Sequence, residues 1–553
     1  MNRHSTVFTL FILLSASAIQ AQKDTTQVIN VRSSFKPVLR NAVKQPFYAT
    51  PPATDTTLPT LSYQVPSRAM FLAYEPVPLK PLALQVDNTP GWENSNFIKA
   101  GFGNLSTPYV SAGFSFGDGH STSLGIYGDY IGSKGNIKNQ EYSRIGLALQ
   151  GSKTTAKNFE FKGKIGYNQD EYFLYGYDHN LFSYTKDDVR QKFQTISINA
   201  GMRNTMPSEF GLNYNPTIKS TIFTDNRKAS ETNALIDVPL SKYFSKTVGV
   251  KLGLAADITS YKKPSVSVAN NIFYVKPAVL FKTPNVNVNA GVTPAWENKD
   301  LNILPDITAD IRLQGTKFVL QLGWLGYYNK GSYQRWASFN PYIRQPDSLF
   351  NTKVDERFAG FKGTSGNNVV YAVKASYYGY KNLDLYMNDT SGDGKHYKVV
   401  SEKDVKAFQV HAEVGFIEKE VFHFMAGANI NTYTGLKQYA KPWGLLPLEL
   451  TASLRWQLFK DLWLKSDAFI WNGANFVKKG GGTERTSPVI DLNAGLEFRI
   501  TKNINLWFEA NNLLNNEYQR WKNYQSYGLN LLGGVKFSFA TKPMQKAAVA
   551  VGE

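Results

Sequence analysis

Leu448-Glu449-Leu450-Thr451-Ala452-Ser453-Leu454-Arg455-Trp456-Gln457-Leu458 alternates apolar and polar residues without a break. Successive side chains of a β-strand point to opposite faces, so this stretch has one greasy face and one polar, partly charged face. The same alternation runs from Ile490 to Ile500, from Phe408 to Phe416 and from Ile307 to Leu313. Such runs last about ten residues, the tilted span of a bilayer, whereas strands of soluble sheets are about five or six residues long. Their polar faces carry Arg312, Arg455, Glu497 and Arg499. Ions there need a wet interior, and the opposite face needs lipid. The stretch therefore reads as the wall of a transmembrane β-barrel.

Working outward from it, candidate strands centre near residues 100, 112, 127, 147, 163, 198, 217, 234, 252, 276, 291, 308, 323, 358, 375, 413, 428, 452, 467, 494, 508 and 534. The expected fold is all-β, a transmembrane antiparallel barrel of about 22 strands (range 16–22), large enough that such barrels normally hold a plug. The weak alternation between residues 97 and 135 sets the lower bound. Short connections, such as Gln314-Gly315-Thr316-Lys317 and Glu418-Lys419-Glu420, alternate with long ones at 169–190, 330–351, 382–405 and 473–486. Bacterial barrels have short periplasmic turns and long external loops, so all the long loops fall outside and both barrel ends in the periplasm.

Composition agrees. The chain has 553 residues, 14% of them aromatic, with 31 Tyr. Tyr and Trp suit a membrane–water boundary because they join an apolar body to a polar tip. Beyond the N-terminus no apolar run reaches the roughly 18 residues of a spanning helix. With zero cysteines, disulfides, thiol catalysis and Cys-ligated metals are excluded. The net charge of +18 is spread along the chain rather than clustered, which argues against nucleic acid as a partner.

The N-terminus reads as a secretory signal peptide over 1–21. Arg3 and His4 precede the apolar run Val7 to Leu14, and Ile19-Gln20-Ala21 forms a small-residue cleavage site. Residues 22–96 form a Pro-rich, irregular periplasmic or lumenal segment, because Pro37, Pro46, Pro51, Pro52, Pro59, Pro66, Pro76, Pro78, Pro81 and Pro90 deny the backbone a regular ladder. The barrel is expected over 97–539 and a C-terminal tail over 540–553.

The last strands carry a family resemblance. Asn503 to Tyr518, with its strand followed by Asn511-Asn512-Leu513-Leu514-Asn515 and then Tyr518, resembles the penultimate strand and loop of TonB-dependent receptors. Gly528 to Phe539 resembles their closing strand, with Leu531, Gly533, Val535, Phe537 and Phe539 on its apolar face. The resemblance is specific over about the last 40 residues of the barrel and generic over the rest. It extends to neither a full plug domain nor a TonB box. It implies an outer-membrane barrel mediating solute passage or uptake. The alternative is a non-transporting scaffold subunit of an outer-membrane complex. In such barrels the terminal aromatic strand is read by the insertion machinery, which makes Phe537 and Phe539 the candidate assembly signal. Expected partners are outer-membrane lipid, that machinery, and a periplasmic or surface lipoprotein.

No catalytic, cofactor-binding or metal site is expected, and the chain reads as a non-enzyme. The histidines are His4, His120, His179, His396, His411 and His423, without a HExxH pattern. Two of them, His411 and His423, share the lumen face of adjacent strands, where solvated histidines are commoner than a metal pair. Asp389-Thr390-Ser391-Gly392-Asp393-Gly394 has the start of a calcium loop but no twelfth-position Glu, and reads as a polar loop tip. One four-residue sequence occurs twice, as Tyr333-Gln334-Arg335-Trp336 and Tyr518-Gln519-Arg520-Trp521, both in expected external loops. Aromatics with Arg recur at binding hot spots, so Tyr333, Arg335, Trp336, Tyr518, Arg520 and Trp521 are candidate external contacts, against the plainer reading of an aromatic girdle above the bilayer.

Overall fold

The computed structural model describes residues 94–118, 121–390 and 392–541. The expected signal peptide, residues 22–93 of the Pro-rich segment, most of the tail, and His4 and His120 lie outside them.

Alternation produces one sheet closed on itself. Each barrel strand pairs antiparallel with the next, and the first, Asn94–Gly103, pairs with the last, Asn530–Thr541, from Asn94↔Thr541 to Gly103↔Leu532. The sheet contains 23 strand segments. Two of them, Leu212–Tyr214 and Thr217–Asp225, both pair with Ser230–Tyr243 and are halves of one strand interrupted at Asn215-Pro216. Proline cannot donate to the ladder, so the interruption falls where the sequence demands it. The barrel therefore has 22 strands, and each of the 22 expected centres falls inside one of them.

The two faces differ as the alternation requires. In Val248–Lys263, Leu252 (40% exposed) and Leu254 (44%) point outward, while Ala255, Thr259 and Tyr261 are buried inside. Outward Leu, Ile, Val and Phe recur around the wall, an apolar belt that water would not tolerate and lipid does.

Turns at one end are short. At Gln314-Gly315-Thr316-Lys317 the chain reverses through Gly315 at φ 73°, a left-handed conformation that glycine adopts without steric cost. The long connections all lie at the other end, at 174–189, 330–351, 389–396, 435–447, 472–488 and 512–529. One difference from expectation matters. Residues 382–405 were expected to be loop, yet Val369–Asn388 and Tyr397–Glu418 continue as strands of 20 and 22 residues. Their upper parts rise beyond both neighbours, whose pairings stop at Lys353↔Lys381 and Lys406↔Thr434. On the first of these strands both faces are covered, with Leu383, Asp384, Leu385 and Tyr386 buried in succession, and on the second Tyr397 and Glu402 are buried. With no polar face left, the period-two signal that marks a membrane strand disappears.

Candidate functional site

The tall hairpin is the spine of a lid. Loop 330–351 folds onto it through a short helix, Tyr333–Phe339, capped by Ser332. Helix N-termini leave backbone N–H groups without partners. Here Glu231, from the rim of the wall, accepts from the Tyr333 N–H at 2.6 Å, the Gln334 N–H at 3.3 Å and the Ser332 hydroxyl at 2.7 Å. Nearby, Asn270 and Asn351 exchange side-chain hydrogen bonds at 2.7 and 2.8 Å and together hold both the N–H and the carbonyl of Gly331. The loop is thus tied down at its entry by buried polar groups, each worth more here than in water.

Loop 435–447 is tied in the same way. Glu402, fully buried on the hairpin, accepts from the N–H groups of Lys437, Gln438 and Tyr439 at 3.1, 3.0 and 2.9 Å. Asn388 at the hairpin's top pairs both ways with the backbone of Val477 in the next long loop, at 2.9 Å each. Backbone joins backbone as well. Tyr397 donates to the Tyr342 carbonyl at 3.0 Å and accepts from Arg344 at 2.9 Å.

Between these ties lies an aromatic core. Tyr342 stacks on Tyr524 at 3.4 Å between centroids, Tyr175 meets Tyr524 edge-on at 5.0 Å, and Tyr397 meets Trp521 edge-on at 5.3 Å. These three loops and the tall hairpin start from well-separated parts of the barrel wall, yet their side chains share one buried cluster. A cluster built from opposite sides covers the opening between them. The long-loop end of the barrel is covered by the chain's own loops.

The aromatic residues of the repeated tetrapeptide, and Arg520, are buried within this lid, while Arg335 keeps 41% of its side chain exposed. Tyr333 and Trp336 are fully buried. The Tyr333 ring packs edge-on against Phe223 and Tyr261, and its hydroxyl donates to Asp225 at 2.9 Å. Arg335 pairs with Asp384 of the spine at 2.9 Å. In the second copy Tyr518 donates to Asp491 at 2.5 Å, and Trp521 packs against Phe339 and Tyr386. The two copies adopt different backbones, since 333–339 is helix and Gln519–Trp521 is a hairpin strand. Arg520 is 6% exposed, bonds the Gly444 carbonyl at 3.1 Å and lies over Trp521 at 4.2 Å. Burial pulls its guanidinium down to about 10, so it stays charged at neutral pH.

The other candidates disperse. His411 is held between Asn429 at 2.6 Å and Glu413 at 3.1 Å. His423 pairs opposite Ile417, six residues further along that strand, roughly 20 Å away at 3.3–3.4 Å per residue. In the tip 389–394, Asp393 is taken up by Tyr184 and Lys395. Burial, then the neighbouring Lys395, pulls His396 down to about 4 and keeps it neutral. Among the described residues no group of three or more metal-ligating side chains converges. Phe537 and Phe539 lie on the apolar outer side of the closing strand, in contact with each other at 5.6 Å and opposite Ile98 and Asn96. Sequence reasoning missed Glu231, Glu402, Asn270 and Asn351, because their partners lie outside any local pattern: those of Glu231 are about a hundred residues on.

No family model and no curated protein matches the chain. Solved structures do. The iron transporter FrpB of Neisseria meningitidis superposes with a TM-score of 0.62 at 10% identity, over 81% of this chain and 82% of that one. The siderophore receptor PirA of Acinetobacter baumannii gives 0.62 at 9%, over 82% and 81%. A mutant of the ferric enterobactin receptor PfeA of Pseudomonas aeruginosa gives 0.58 at 10%, over 81% of each. The fold is that of a TonB-dependent receptor barrel. That fold belongs to the outer membrane, where barrels have short periplasmic turns and long external loops.

Proposed function

We propose that the chain mediates solute passage or uptake across the outer membrane, with the loop lid as its external gate. The observation that carries this is the pairing of a barrel far wider than its own wall needs with a mouth closed by loops tied at a few polar points. A structural wall alone needs no such cover. Iron and siderophores, named for the neighbouring structures, are the first solutes to screen. The same reading includes the sequence expectation of an exported, Pro-rich periplasmic or lumenal segment ahead of the first barrel strand, behind the signal 1–21. A lipoprotein partner and the insertion machinery, acting through Phe537 and Phe539, complete the proposed set of contacts.

Liposome swelling with sugars of graded size tests the reading, using the full chain and a Glu231→Ala/Glu402→Ala variant. Passage that is low in the first and size-limited but substantial in the second supports a gated pore. No passage in either, together with a stoichiometric partner on purification, would favour the scaffold.

A further inference from the structure

Every pairing in the barrel joins consecutive strands except one, the seam between Asn94–Gly103 and Asn530–Thr541. Hairpin pairings close short loops, whereas the seam must bring together the two ends of the barrel sequence. Its inner face carries a row of four positions, two aromatic residues flanking two glycines, that the rest of the fold does not explain.

Trp507 projects inward from Ile504–Asn511. Its partner on the closing strand is Gly534, the partner of Gly534 on the first strand is Gly101, and the partner of Gly101 on the second strand is Tyr109. Two glycines in line leave a channel across the seam, and the indole occupies it. A Cβ on Gly101 would come within 2.2 Å of the Trp507 ring, and one on Gly534 within 2.0 Å of the Ala100 carbonyl. Tyr109 closes the row edge-on to the indole at 5.5 Å. An aromatic ring laid over a strand glycine restores the packing that the glycine lacks.

Charge runs alongside. Lys99 and Lys536 lie directly opposite each other across the seam, and both are almost wholly buried. Like charges in that position repel. Each is neutralised by a carboxylate two strands along the wall. Lys99 passes over the Trp507 ring, 4.0 Å from its centroid, to Glu509 at 2.7 Å. Lys536 leans the same way round the barrel, over the Ile504–Asn511 strand, to Glu497 at 3.0 Å, which Asn505 also bonds at 2.5 Å. The Lys99–Glu509 pair joins residues 410 apart and bridges over the closing strand.

We propose that Trp507, reaching across the closing strand to seat on Gly101 and strapped by Lys99–Glu509, is a clamp that fastens the barrel's seam from the lumen side, so that the seam is the point where the barrel opens when the clamp is lost. The backbone ladder sets which strands meet, and the clamp sets how firmly they stay together.

The test uses the full chain folded in detergent, reading the midpoint temperature at which the compact band on unboiled gels converts to the unfolded one. Trp507→Ala lowers that midpoint, Trp507→Phe lowers it less, and Lys99→Met and Glu509→Gln are non-additive when combined. The chain has no cysteine, so disulfides can be placed cleanly. A seam pair, Ala100→Cys with Val535→Cys, restores the midpoint of Trp507→Ala, whereas a pair elsewhere in the wall, Leu240→Cys with Leu252→Cys, does not. Equal rescue by both pairs, or an unchanged midpoint in Trp507→Ala, would overturn the clamp. If Trp507→Ala fails to assemble, the same two disulfides are compared in Lys99→Met, where rescue by the seam pair alone is again required.

Discussion

The membrane belt and the extracellular lid are built from the same residue types in opposite ways. In the belt each strand pairs with its sequence neighbour, and apolar side chains alternate outward into lipid. In the lid the aromatics point inward, and order comes from side chains reaching backbone groups far along the chain, such as Glu231 to Tyr333 and Asn388 to Val477. The belt is repetitive and tolerant of which apolar residue stands where. The lid depends on a few particular atoms. Single changes should therefore separate the two regions.

The largest effect is expected in the lid core. Trp336 is fully buried against Phe350, and truncating such a ring costs about 3–5 kcal/mol. Trp336→Ala should expose loop 330–351 to external protease on whole cells while leaving the gel midpoint of the barrel unchanged. A drop in that midpoint would show that lid and belt are one cooperative unit. Next comes a charge in the belt. Leu254→Arg on the lipid face costs about 2–4 kcal/mol near the membrane midplane. It should lower the assembled amount and the gel midpoint without exposing the lid. Glu402→Gln should cost somewhat less, about 1.5–3 kcal/mol for a charge-assisted set of hydrogen bonds. Its signature is faster amide exchange at Lys437, Gln438 and Tyr439 only. The smallest intrinsic cost, about 0–1 kcal/mol, belongs to Phe539→Asp at the membrane boundary. A fall in outer-membrane level far beyond that cost would identify an assembly signal, and normal levels would remove that role.

The same contrast explains what could be read from sequence. Leu448 to Leu458 announces a strand because lipid on one side and a wet lumen on the other impose period two on any residue in that position. Most of the 22 strand centres followed from that rule, and only those between 97 and 135 were weakly marked. The upper hairpin did not, because Leu383, Asp384, Leu385 and Tyr386 are buried in succession on its first strand and lose the alternation. The two copies of Tyr-Gln-Arg-Trp were recognisable as special, but not as lid core. Their burial depends on partners such as Asp225, Asp384, Asp491 and Gly444, which no local pattern connects to them. That one copy is helix and the other strand makes the same point: in the lid, tertiary context outweighs local sequence.

Lid closure is tested most directly by labelling intact cells with a membrane-impermeant maleimide. Ala337→Cys places a thiol of similar size in the buried lid helix, and Lys479→Cys places one on an exposed loop tip. With no native cysteine to react, each signal reports one position. Labelling is expected to be rapid at 479 and absent at 337, and to appear at 337 once Glu231→Ala is added. Labelling at 337 as fast as at 479 in the otherwise unaltered protein would contradict a mouth closed by its own loops.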